Sequence, residues 1–248
     1  MDHSRAPVLD ALAEYRQLGR YGFTPPGHRQ GAGADPRVRE VLGGALASDI
    51  LAAPGLDDRL SRGGYLSEAE DLMADAVGAD AAFFSTCGSS LSVKAAMLAV
   101  AGGADGGLIL GRDSHKSIVA GLVFSGVLPR WVPPRWDAQR HLSHPPSPEQ
   151  VEQAWQKYPD AAGALIVSPS PYGTCADICA IAEVCHRRGK PLIIDEAWAR
   201  ICRSTPICPP GRWMPAPMSA WSACTRWAPD SNRARSSTSR AIWSTSTN

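Results

Sequence analysis

Four short apolar runs, each bounded by turn residues and followed or preceded by a helical pattern, constrain this chain most. They are Ala81-Ala82-Phe83-Phe84-Ser85, Leu108-Ile109-Leu110, Ala164-Leu165-Ile166-Val167-Ser168 and Pro191-Leu192-Ile193-Ile194-Asp195. Strands without polar alternation are covered on both faces, and the intervening helices supply that cover. The expected fold class is α/β with a mostly parallel sheet. Helices are expected from Ser89 to about Ala101, from Ser114 to Phe124, and from about Ala176 to Arg188, the last stopped by Gly189. The proline-rich stretch from Pro129 to Pro148 reads as a surface loop.

A net charge of +1 over 248 residues gives no argument for nucleic acid or membrane partners. The seven cysteines are irregularly placed and do not form a secreted disulfide framework; Cys175, Cys179 and Cys185 read as thiols on a helix in a reducing compartment. No signal peptide and no long apolar run is evident, so a soluble, cytoplasmic protein is expected.

Residues 201–248 differ in kind. They contain no lysine, a single acid at Asp230, and Trp213, Trp221, Trp227 and Trp243 with neither helical nor strand period. A disordered basic tail and an aromatic, basic nucleic-acid-binding tail are both weighed here, but four tryptophans sit badly with disorder. An out-of-frame origin fits better. GC-rich codons for Ala199 to Ala228, read two bases out of step, can yield a turn, an apolar strand and a Ser-Val-His-Lys ending that falls across Cys224-Thr225-Arg226-Trp227. The expectation is an aberrant, disordered tail with little regular structure.

The chemistry lies at strand ends. A carboxylate closing a buried parallel strand, as Asp195 does, stands at the carboxyl edge of the sheet, where α/β folds bind ligands. Thr86-Cys87-Gly88-Ser89-Ser90 is a strand-to-helix turn whose free N–H groups and hydroxyls suit an anion. Arg112-Asp113-Ser114-His115-Lys116-Ser117 forms the next such turn, and its histidine can stack on a flat heteroaromatic ring. Each signal alone has a plain structural explanation, a cap or a solvated side chain. Together they suit pyridoxal 5'-phosphate: phosphate at Gly88, Ser89 and Ser90, ring on His115, ring nitrogen kept protonated by Asp195.

Here the sequence resembles a family, the ornithine, lysine and arginine decarboxylases among fold type I pyridoxal-phosphate enzymes, in their short form. The resemblance runs from about Tyr21 to Trp198. It is carried by Phe23-Thr24-Pro25-Pro26-Gly27-His28, Pro54-Gly55-Leu56-Asp57-Asp58, Ser67-Glu68-Ala69-Glu70, the Gly88-Ser89-Ser90 turn, Arg112 to Ser117, Ser168-Pro169-Ser170-Pro171-Tyr172-Gly173 and Asp195-Glu196-Ala197-Trp198. It implies the three-layer, mostly parallel sheet of the aspartate aminotransferase-like large domain, here incomplete. It also implies an amino-acid substrate and a homodimer or higher homo-oligomer. Among site residues it implies Gly88, Ser89 and Ser90 on the phosphate, His115 on the ring, Asp195 on the ring nitrogen, Trp198 in the cofactor pocket and Ser170 lining it. Cys87 stands where relatives often carry Asn.

One part is missing. The family places its Schiff-base lysine after the Asp-x-Ala-Trp strand, within Ser-x-His-Lys, and no lysine follows Lys190 in this chain. Lys116, in Ser114-His115-Lys116, imitates that motif but precedes Asp195, so it reads as a neighbour of the stacking histidine. No catalytic residue is therefore assigned. The expected organisation is an N-terminal segment with an active-site or interface loop over 1–60, a cofactor-binding core over 61–200, and the tail over 201–248. The expected function is decarboxylation of ornithine, lysine or arginine by descent, with this chain inactive as written. A non-catalytic remnant, or an aminotransferase or aldolase on the same fold, is the alternative. No metal site is expected: His141-Leu142-Ser143-His144 lies in the proline-rich stretch without an obvious carboxylate partner, and Cys175 and Cys179 lack further ligands.

Overall fold

The computed structural model describes residues 1–51, 56–57, 64–77, 79–199, 220–226 and 240–246. The motif Pro54 to Asp58 lies partly outside them, as do residues 201–219, 227–239 and 247–248 of the tail. The chain divides into two compact units, Met1–Met73 and Ala74–Asn248.

The first unit contains α1 (Pro7–Gln17) and α2 (Pro36–Leu42), the latter started by Pro36 and by the Asp35 carboxylate, which accepts the N–H of Arg37 at 2.9 Å. The Pro26-Gly27-His28 loop is tied down by its histidine. Nδ1 of His28 accepts the N–H of Gly31 at 3.3 Å, while Nε2 lies 3.0 Å from Oδ2 of Asp49. Arg29 and Gln30 follow at φ 51° and 58°, left-handed positions that cost a non-glycine residue energy. A third helix, α3 (Tyr65–Val77), begins within this unit.

The second unit is a seven-stranded sheet between helices. Its strands are β1 (Ala81–Ser85), β2 (Leu108–Gly111), β3 (Pro129–Val132), β6 (Gly163–Val167), β7 (Leu192–Asp195), β8 (Ala220–Arg226) and β9 (Arg240–Ser246), in the order β1-β9-β8-β7-β6-β2-β3. All run parallel except β8, which is antiparallel to both neighbours. Between β3 and β6 a small antiparallel hairpin forms from β4 (Arg135–Asp137) and β5 (Leu142–His144). The helices are α4 (Gly88–Ala101), α5 (Lys116–Ser125), α6 (Pro148–Lys157) and α7 (Ile178–His186).

Two apolar clusters pack on opposite faces of this sheet. Val93, Ala96 and Met97 of α4 and Ile118 of α5 join Leu108, Leu110, Leu165, Val167 and Ile193 on one face. Val151 and Trp155 of α6 and Ile181 to Cys185 of α7 join Ile109, Ala164, Ile166, Leu192 and Ile194 on the other. Strand residues divide between the faces strictly by alternation. The sheet is thus the middle of three layers, which is why its strands read as unbroken apolar runs.

Three expectations need correction. Pro129 to Pro148 is not a plain loop: it holds edge strand β3, the β4–β5 hairpin and the start of α6. Pro129 fits because it is the first residue of an edge strand, where no ladder N–H is lost. The α6 start was legible in Ser147-Pro148-Glu149-Gln150, a capping box with proline at N1. The tail also supplies structure at two segments, β8 and β9, which bridge β7 and β1. Both lack proline and contain tryptophan and threonine, β-forming residues that satisfy the open backbone edges of those strands. The out-of-frame reading therefore loses the support that an absence of regular structure would give it. Finally, His144 has a carboxylate neighbour, Nε2 lying 3.7 Å from Oδ2 of Asp137 across the hairpin. Among the described residues, no group of three or more possible metal ligands forms, and no helix is long and apolar enough to cross a membrane.

Candidate cofactor site at the carboxyl edge

Because β1, β2, β6 and β7 are parallel, the turns that follow them all emerge at one edge of the sheet. Every site residue expected from the sequence lies there. Gly88, Ser89 and Ser90 follow β1, His115 follows β2, Ser170 follows β6, and Asp195 and Trp198 end and follow β7.

Asp195 is 3% exposed. Strand alternation turns its side chain to the same face as Ile193, the face covered by α4 and α5. Burial pushes its carboxyl above the usual carboxylate range. The N–H of Ala197, donating to Oδ1 at 3.1 Å, and the nearby His115 imidazole pull it back. A buried carboxylate so placed gains most from a cationic partner, and a protonated pyridine nitrogen is such a partner.

Gly88 is the first residue of α4 and takes φ 72°, a conformation that glycine adopts without cost. A Cβ there would meet nothing within 4 Å, so the glycine serves backbone conformation and not clearance. The α4 N-cap, Cys87, makes no side-chain capping bond, whereas α5, α6 and α7 are each capped by a side chain. The first-turn donors of α4 are thus left to a ligand, with the half-buried hydroxyls of Ser89 and Ser90 beside them. These features fit a phosphate.

His115 is the exposed N-cap of α5. Its Nδ1 accepts the N–H of Ser117 at 3.2 Å and lies 2.9 Å from Oγ of the same serine. Trp198 is half-buried in the turn after β7. Asp113, two residues before His115, has both carboxylate oxygens buried without a hydrogen-bond partner, and burial raises its carboxyl.

Ser170 behaves differently from the expectation that it lines the cofactor. Its Oγ accepts the N–H of Tyr172 at 3.3 Å and of Thr174 at 3.2 Å, and lies 2.6 Å from Oγ1 of Thr174. Oγ1 of Thr174 donates to the carbonyl of Ser143 at 3.0 Å, so the Ser170 hydroxyl must donate to Thr174. One donor and two acceptor positions are then used, and nothing remains for a ligand. Ser170 shapes the loop after β6, and Thr174 ties that loop to the hairpin. Sequence reading missed Thr174 and Ser117, since a hydroxyl two or four residues from a motif carries no signal until the loop is folded.

The Orn/Lys/Arg decarboxylase major domain matches residues 6–213, extending past the motif series that ends at Trp198. An arginine decarboxylase of Bacillus subtilis is 36% identical over 198 residues, which is 79% of this chain and 40% of the relative. A lysine decarboxylase of Pseudomonas aeruginosa, LdcA, is 27% identical over 210 residues, 77% of this chain and 28% of the relative. Among solved structures, lysine decarboxylase A from Pseudomonas aeruginosa superposes with a TM-score of 0.63 at 26% identity, covering 78% of this chain and 28% of that one. The chain thus spans 40% or less of the length of these relatives. Its sheet is the fold type I large-domain sheet expected from the motif series. On the strength of a match covering most of its residues, the chain belongs to the Orn/Lys/Arg decarboxylase family.

Proposed function

We propose that the carboxyl edge of this sheet binds pyridoxal 5'-phosphate, and that the activity by descent is decarboxylation of a basic amino acid. The buried Asp195 carboxylate, turned to the α4 and α5 face, carries the reading. Gly88, Ser89 and Ser90 hold the phosphate through first-turn N–H groups and hydroxyls. His115 packs against the ring, Asp195 holds a proton on the ring nitrogen, and Trp198 helps to exclude water. When bound, the cofactor supplies an electron sink for the bond broken at the substrate α-carbon. The family also suggests a homodimer or higher assembly, which sedimentation of the purified chain would test.

A second reading concerns this chain alone. No lysine follows Lys190, so the amine that the family presents after the Asp-x-Ala-Trp strand is lacking. Lys116 is the exposed first residue of α5, on the turn after β2 and not after β7. The chain as written therefore holds the cofactor without a covalent link and does not decarboxylate ornithine, lysine or arginine at an enzymatic rate. Borohydride reduction in the presence of the cofactor, followed by peptide mapping, tests this. No stoichiometric lysine label and no carbon dioxide release are expected. Stoichiometric labelling of one lysine together with carbon dioxide release would overturn the second reading.

A further inference from the structure

The ring of His115 is held from one side by a single neighbour. Its Nδ1 accepts the backbone N–H of Ser117 (3.2 Å), and the hydroxyl of Ser117 stands 2.9 Å from the same nitrogen. A nitrogen that accepts an N–H carries no hydrogen of its own, so the hydroxyl is a donor to it as well. The remaining ring hydrogen is then on Nε2. Rotation of the ring about Cβ–Cγ would break both bonds. Ser117 is 5% exposed in the first turn of α5, whose next residue, Ile118, is fully buried in the core, so its own position is set by packing.

We propose that Ser117 is the positioning residue for His115, fixing the Nε2–H tautomer and the plane of the ring. The functional consequence rests on the reading of His115 as the residue that stacks on the cofactor. A flat ligand gains full contact from a ring already in the right plane, and an imidazole free to turn must be ordered at binding. Ser117 touches neither substrate nor cofactor; it acts through His115.

Long-range proton–nitrogen correlation spectra of the full chain, labelled at histidine and free of cofactor, read the tautomer directly, with His115→Gln identifying the signals. Wild-type protein is expected to show an unprotonated Nδ1 and a protonated Nε2 at His115. In Ser117→Ala both nitrogens are expected to move toward a tautomeric average, and Ser117→Thr, which keeps the hydroxyl, is expected to return them. Should the threonine methyl disturb the core, Ser117→Cys keeps the volume with a weaker donor, and a partial shift is expected there. Nitrogen signals in Ser117→Ala that match wild type would overturn the proposal. Cofactor affinity in Ser117→Ala is expected to fall about two- to tenfold, the ordinary net value of one hydrogen bond. A tautomer shift in protein that binds no cofactor would uphold the Ser117 contact and sink the stacking reading. Cofactor binding with unmoved signals would do the reverse.

Discussion

The hydroxyl of Ser170 lies 2.6 Å from that of Thr174, and the bond between them can run only one way. Thr174 gives its hydrogen to the carbonyl of Ser143 in the β4–β5 hairpin, so it receives the hydrogen of Ser170. The relay joins the loop after β6 to the hairpin through two hydroxyls.

Thr174→Val keeps the shape and removes the relay. It leaves the Ser143 carbonyl and the Ser170 hydroxyl short of partners, and is expected to cost about 1–2 kcal/mol of stability in denaturant titration. Thr174→Ser should retain most of the wild-type value. Equal stabilities for the valine and serine variants would show that the relay contributes nothing.

Asp195→Asn should separate stability from binding. Burial raises the Asp195 carboxyl, so the folded state holds its proton more tightly than the unfolded chain does. The resulting penalty is absent below the unfolded carboxylate pKa and grows as pH rises through the raised folded value. In the absence of cofactor, Asp195→Asn is therefore expected to melt at a higher temperature than wild type at pH 7. That difference should shrink as pH falls below the carboxylate range. A variant less stable than wild type at pH 7 would mean that the carboxylate has a native partner compensating its burial.

Gly88→Ala places a side chain at φ 72°, where an L-residue pays about 1–2 kcal/mol. With nothing within 4 Å of the new Cβ, the loss is expected to be conformational alone and to appear as a lower denaturation midpoint. A loss well beyond that range would point to a clash, and hence to a tighter turn than the one described.

Ser90→Ala removes a hydroxyl from the proposed phosphate site and is expected to weaken cofactor binding by about 1–3 kcal/mol, with stability little changed. An unchanged affinity would remove Ser90 from the site.

Much of this was legible before folding. The strands β1, β2, β6 and β7 announced themselves as unbroken apolar runs because helices cover both faces of the sheet. Asp195 stood out because a carboxylate closing such a run has few structural uses. Edge strand β3 was hidden by prolines that are tolerated only where no ladder N–H is needed. The strands β8 and β9 carry no period of their own and owe their place to the open edges of β7 and β1. Ser170 was assigned to the cofactor from its motif, but its bonding capacity is spent inside its own loop, a fact that depends on the positions of Tyr172 and Thr174 in space.

Spectroscopic titration of pyridoxal 5'-phosphate into the full chain, with Asp195→Asn and Ser90→Ala measured beside wild type, asks directly whether the carboxyl edge is a cofactor site. Wild type is expected to bind saturably at one site per chain. Asp195→Asn is expected to weaken binding by about tenfold or more, as befits loss of a charge-assisted hydrogen bond worth roughly 1.5–3 kcal/mol, with Ser90→Ala following in the same direction. An absence of saturable binding in wild type, or a single isotherm shared by all three proteins, would contradict the assignment of this edge to the cofactor.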